Sequence, residues 1–141
     1  MSDPKTVEET RDESNDDVED ELGSIIVDNG TGTIKAGFAG TDAPEVVVNN
    51  VLGTPAYNPI LLTGNYKQYF IGKDLDIMRG VAELDYPMTK GVVDNFDLME
   101  TMWRHVFENE LKIDIQGKNV LMTEAPLNPA ENRVKMIRSL F

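Results

Sequence analysis

Cysteine is absent from the 141 residues, and histidine and tryptophan occur once each. Disulfides and thiolate metal sites are thereby excluded, so stability has to come from core burial, partners or ligand. The lone histidine, His105, has no cysteine or second histidine to complete a metal site and reads as a surface residue. No apolar run is long enough to span a bilayer, and no membrane partner is expected. The N-terminus is acidic where a signal peptide would need a basic segment and an apolar core. Basic residues are also scarce, 13 against 25 acidic ones for a net charge of -12, which disfavours direct contact with nucleic acid. The remainder, 40% hydrophobic and 27% charged, suits a soluble globular protein of cytosol or nucleus.

The charge is unevenly placed. Residues 1–22 hold ten acids against Lys5 and Arg11, a net of -8, leaving -4 on the other 119 residues. Few apolar residues and strong self-repulsion predict a disordered acidic tail. Two uses are open to it: a solubilising arm, or an electrostatic contact for a basic partner.

Beyond the tail, Asp28-Asn29-Gly30-Thr31-Gly32-Thr33-Ile34-Lys35 carries the chemistry. Ile25-Ile26-Val27 before it is a wholly apolar run of the kind a buried strand shows, and Asn29-Gly30 is a two-residue hairpin signal. Gly30 and Gly32 carry no Cβ and can adopt positive φ, so the turn can aim successive backbone N–H groups at a close anion. Thr31 and Thr33 add hydroxyl donors, Lys35 adds a cation on the returning strand, and Asp28 can face a hydrated divalent metal. These parts suit a magnesium nucleotide, although Asn-Gly turns also close hairpins that bind nothing.

A second landmark, Leu121-Met122-Thr123-Glu124-Ala125-Pro126-Leu127-Asn128-Pro129-Ala130-Glu131-Asn132-Arg133, is read with the first. Together they resemble the actin and actin-related family. The likeness runs through Asp42-Ala43-Pro44, Gly53 and Pro55, Phe70-Ile71-Gly72, Arg79-Gly80, Tyr86-Pro87 and Gly91-Val92-Val93 to Trp103, His105 and Asn109-Glu110-Leu111. It implies an α/β, actin-like ATPase (ribonuclease H-like) fold of which this chain holds the first half, a mixed sheet with flanking helices. Residues 23–49 and 87–141 would form the first part of the large subdomain, and residues 50–86 the small outer subdomain with a filament or partner loop.

The same resemblance implies ATP or ADP with Mg2+. Gly30, Thr31, Gly32, Thr33, Ile34 and Lys35 would contact phosphate, and Asp28 would orient the metal through water. None of these is a nucleophile or base. The second phosphate turn and the residues that set the attacking water would lie beyond residue 141, so no turnover is expected from these residues alone. Implied partners are other actin-like subunits or actin-binding proteins, in the cytoplasmic cytoskeleton or in the nucleus. The alternative is a non-catalytic scaffold subunit of a dynein-associated or chromatin-remodelling assembly, or a truncated actin-like module.

Three features depart from the family pattern. The acidic N-terminus, which actins use toward motor and other binding proteins, is longer here. The partner loop, residues 56–68, has the family's length but carries Pro59 and an apolar Ile60-Leu61-Leu62 knob. Lys90 stands where conventional actins carry a histidine.

Local signals complete the reading. Glu45-Val46-Val47-Val48 predicts a third strand beside the hairpin, residues 49–68 a loop-rich excursion, and Tyr69-Phe70-Ile71 a strand. Asn95 is a candidate N-cap, with Met99, Met102, Trp103, Val106 and Phe107 on one helical face. Residues 119–123 predict a strand. Asn128, Pro129 and Glu131 have N-cap, N1 and N3 chemistry for a helix striped by Val134, Ile137, Leu140 and Phe141. The resemblance, not a local signal, implies that the turn before this helix is structural, with Asn132 and Arg133 helping to hold it to the rest of its subdomain. The chain reaches Phe141 without a capping signal, which predicts an apolar helix face left for further protein to cover.

Overall fold

The computed structural model describes residues 23–56 and 68–141. The tail of residues 1–22 and the centre of the partner loop, with Ile60-Leu61-Leu62, lie outside the described residues.

Strands β1 (Ile25–Asn29), β2 (Thr33–Phe38) and β3 (Val46–Asn49) form the expected antiparallel meander. A later strand, β8 (Val120–Met122), adds to the far edge of β1 in parallel, so the order is β3-β2-β1-β8. The sheet is mixed and carries helices, as the α/β reading requires. Its first strand is not buried on both sides, however. Burial alternates along β1, with Ile25 and Val27 inside and Ile26 39% exposed. Three consecutive apolar residues in a strand must face both ways, and among the described residues only one face of this sheet is covered.

The covered face packs on α2 (Phe96–Arg104) and its continuation, a π-helical stretch at His105–Leu111. Asn95 caps α2 as predicted, its side chain accepting from Leu98 N at 3.1 Å. The predicted stripe of Met99, Met102, Trp103, Val106 and Phe107 is fully buried against Ile25, Val27, Ile34, Ala36, Val46 and Val48. At about 1.5–3 kcal/mol for each large apolar side chain removed from water, this interface is the main source of local stability. The π stretch ends at Lys112, whose left-handed backbone (φ +57°) turns the chain back.

Residues 50–86 contain more regular structure than predicted. Leu52–Pro55 is strand β4, paired antiparallel with β5 (Ala82–Asp85), and a short helix α1 (Lys73–Met78) lies between them. Tyr69-Phe70-Ile71 is not a strand; only Phe70 bridges, to Gly53. Pairing between residues about thirty apart formed β4 here, which Gly53 and Pro55 had disguised as loop. A hairpin of β6 (Met88–Thr89) and β7 (Val92–Val93) follows, turning through Lys90 and Gly91, both at positive φ, the geometry favoured in two-residue hairpins.

The last helix, α3 (Ala130–Leu140), departs from its predicted start and stripe. Pro129 occupies the N-cap position without a side-chain bond, while Asn128 donates instead to Glu124. Met136 and Leu140 pack on the core, and Val134, Ile137 and Phe141 remain exposed. His105 also differs from its surface assignment. Its side chain is only 19% exposed and Nε2 lies 3.1 Å from Glu110 Oε1, five residues on, a spacing the wider π turn brings onto one side.

Candidate functional site

The last residue pair of the first hairpin is Asn29 with Ile34, so the connection is longer than a two-residue Asn-Gly turn. Asn29 completes β1, and Gly30-Thr31-Gly32 make the excursion. Neither glycine uses positive φ. Gly30 is required for space: a Cβ there would stand 2.6 Å from the Thr33 carbonyl oxygen. Gly32 has nothing within 4 Å of a Cβ, so its bare backbone is open to anything approaching from outside.

The turn is braced from three directions. Asn50, 1% exposed after β3, donates Nδ2 to the Gly30 carbonyl at 2.9 Å and its backbone N–H to the Gly32 carbonyl at 3.0 Å. From the β6/β7 turn, Gly91 N donates to Thr31 Oγ1 at 2.7 Å, so the Thr31 oxygen is an acceptor here while its proton stays available. Beneath, the Trp103 indole donates to buried Asn29 Oδ1 at 3.1 Å, tying the end of β1 to α2. Thr31 and Gly32 are exposed, and among the described residues neither of their N–H groups has an acceptor.

Asp28 and Lys35 face each other across β1 and β2 on the exposed side of the sheet, Nζ 3.8 Å from Oδ2. Both are about half exposed, so the pair contributes little stability, and the lysine charge stays within reach of another anion. Thr123, just past β8, donates Oγ1 to Asp28 Oδ1 at 2.9 Å and accepts from Asn29 N at 3.0 Å. Beside them the sheet opens a hollow of about 280 Å³ walled by Ile26, Phe38, Thr41 and Pro44. Gly30, Thr31, Gly32, Lys35 and Asp28 are thus brought together. Ile34 is fully buried among core side chains, so only its backbone faces this region. Thr33 opens β2 and is partly buried.

Among the described residues no group of three or more carboxylates and histidines could hold a metal. Asp28 alone can act on a divalent ion only through water or with ligands supplied by a bound anion. No helix among the described residues is long and apolar enough to cross a membrane.

The Actin family model matches residues 19–141. The chain belongs to the actin family. It is 40% identical over 119 residues to Actin-related protein 2 of Arabidopsis thaliana, an alignment covering 83% of this chain and 31% of the relative. The chain therefore spans about a third of the length of that curated relative.

In this actin-family chain the Thr123-Glu124-Ala125-Pro126 turn is held from α3, with Arg133 fastening it. Arg133 donates to both Glu124 oxygens, Nε to Oε2 at 3.0 Å and Nη2 to Oε1, and Asn128 Nδ2 adds a bond at 3.1 Å. The guanidinium, then the Asn128 amide, hold the Glu124 carboxyl below its ordinary pKa, and Glu124 raises that of Arg133. Asn132 Nδ2 reaches the Val93 carbonyl at 3.2 Å, fastening α3 to the β6/β7 hairpin. The sequence reading missed Asn50, Thr123 and the indole bond of Trp103. Asn50 follows a strand-like run and carries no motif, Thr123 was read only as part of the second landmark and the end of its strand, and Trp103 was read only as core.

Proposed function

We propose that this chain supplies one phosphate-binding wall of an actin-like subunit that holds Mg2+ with ATP or ADP. The observation that carries this is the braced turn, whose exposed N–H groups at Thr31 and Gly32 have no acceptor among the described residues, one register pair beyond Lys35 and Asp28. The residues fit the group. Main-chain donors and a half-exposed ammonium suit phosphate oxygens, and the open backbone at Gly32 permits close approach. Gly30, Thr31, Gly32, Thr33 and Ile34 would bind through main-chain and hydroxyl groups, with Lys35 neutralising phosphate charge. Asp28, kept in orientation by Thr123, would accept from water on the metal.

The bound nucleotide supplies the phosphoanhydride; the residues on this chain bind and orient it and move no proton. On this reading residues 23–49 and 87–141 belong to the large subdomain, and the separate β4/β5 sheet with α1 belongs to the small outer one. The partners are other actin-like subunits in a filament or multiprotein assembly of the cytoskeleton or nucleus, with residues 1–22 meeting a basic partner.

The test is MgATP binding by the natural protein that carries this sequence, measured by titration calorimetry. Gly32→Val and Lys35→Met should each weaken affinity about tenfold or more, a change of 1.4 kcal/mol, with the fold retained by circular dichroism. Wild-type affinity in both variants, or no binding by the wild type, would overturn the assignment.

A further inference from the structure

We infer that Asn50 is a positioning residue for the phosphate turn, the one that decides which way its peptide planes face. The inference rests on the reading above. A trans peptide is planar, with its C=O and N–H pointing in opposite directions. Asn50 Nδ2 draws the Gly30 carbonyl inward at 2.9 Å, which sends the Thr31 N–H outward. The Asn50 backbone N–H holds the Gly32 carbonyl at 3.0 Å, which sends the Thr33 N–H the other way from Asn50. One residue thus orients two donors, at alternate positions of the turn, away from its own side, and the Thr31 N–H is one of the two exposed donors on which the phosphate reading rests.

The side chain is committed to this task at the expense of its own oxygen. Asn50 is 1% exposed, and its Oδ1 is buried and accepts nothing from the described residues. Buried polar atoms are normally paired. Rotating the amide would not relieve the oxygen without setting it against the Gly30 carbonyl, two acceptors face to face, so that carbonyl dictates the orientation. Aspartate, nearly the same shape, has no donor to offer. Alanine leaves the carbonyl unpaired, and serine is too short to span the distance.

The experiment uses the natural protein with Asn50→Asp and Asn50→Ser, and Val46→Ala as control. Val46 is a buried residue of the same strand edge that does not touch the turn. Backbone amide resonances and relaxation of Thr31 and Thr33 are recorded without nucleotide, and MgATP affinity is measured separately. Both Asn50 variants should displace the Thr31 and Thr33 resonances and lower their order parameters from about 0.85 toward 0.6, while Val46→Ala leaves them in place. The MgATP dissociation constant should rise about tenfold in the Asn50 variants only. Unmoved amides in both variants overturn the inference, as does an equal loss of affinity in Val46→Ala. Failure of the wild type to bind MgATP would sink the phosphate reading, and the amide data would still decide whether Asn50 orients the turn.

Discussion

Gly30 and Gly32 stand two residues apart in one turn, yet alanine should affect them in opposite directions. An ideal Cβ at Gly30 lies 2.6 Å from the Thr33 carbonyl oxygen, well inside the carbon-to-oxygen contact distance of about 3.3–3.6 Å. The obstructing atom is main chain at the start of β2, where Ile34, directly opposite Asn29 across the hairpin, is anchored in the core. It cannot swing aside as a flexible side chain would. Gly30→Ala should therefore cost about 1–3 kcal/mol, the usual penalty for forcing atoms into a well-packed site. At Gly32 a Cβ meets nothing within 4 Å and φ is not positive, so Gly32→Ala costs no contact and restricts the unfolded chain. It should be neutral or stabilising by about 0.4–1 kcal/mol. The two variants should then differ by roughly 1–4 kcal/mol. The assay is equilibrium denaturation without added nucleotide, so that ligand linkage does not enter, followed by the fluorescence of Trp103, the only tryptophan. Equal stability of the two variants, or a loss at Gly32 matching that at Gly30, would refute the steric account of why the turn needs its first glycine.

Two further expectations concern the supports. Trp103→Phe removes the donor to buried Asn29 Oδ1 and should cost about 2–4 kcal/mol by chemical denaturation monitored by circular dichroism. In a double-mutant cycle with Asn29→Ala the losses should be non-additive by more than about 0.5 kcal/mol, and simple additivity would mean that the indole bond contributes nothing. Because the Glu124 carboxyl is held below its ordinary pKa, chiefly by Arg133, its contribution is present above the unfolded-state value and is lost as pH falls through the folded one. Glu124→Gln should thus melt lower than wild type at pH 7 and converge with it as the pH drops below about 4, whereas a gap that persists in acid would discount the ion pair.

Much of the fold was legible locally. The meander of β1, β2 and β3, the Asn95 cap and the buried stripe of α2 follow from periodicity and capping chemistry, which depend on residues a few positions apart. The predicted apolar stripe of α3 is divided: Leu140 packs on the core with Met136, while Val134, Ile137 and Phe141 are exposed. Strand β4 was missed because Gly53 and Pro55 are poor strand formers, and its partner β5 lies some thirty residues on. The N-cap role expected of Asn128 was lost to competition. Its Nδ2 donates to the Glu124 carboxylate, a charge-assisted bond that fixes the side chain there, and Pro129 takes the N-cap position.

By itself the sequence determined which chemistry is present: the glycines, threonines, Lys35 and Asp28 of the turn, the acidic tail, and a family likeness that the Actin match supports. Only the tertiary structure decided how the turn is held. Its braces come from Asn50, Gly91, Trp103 and Thr123, which lie 20, 60, 74 and 95 residues from the groups they bind. Such partners leave no local signature, because a hydrogen-bonding side chain after a strand looks the same whether it meets water or a loop. The strand order β3-β2-β1-β8, with β8 arriving in parallel from the far end of the chain, brings Thr123 beside Asp28 and sets the two edges of the site.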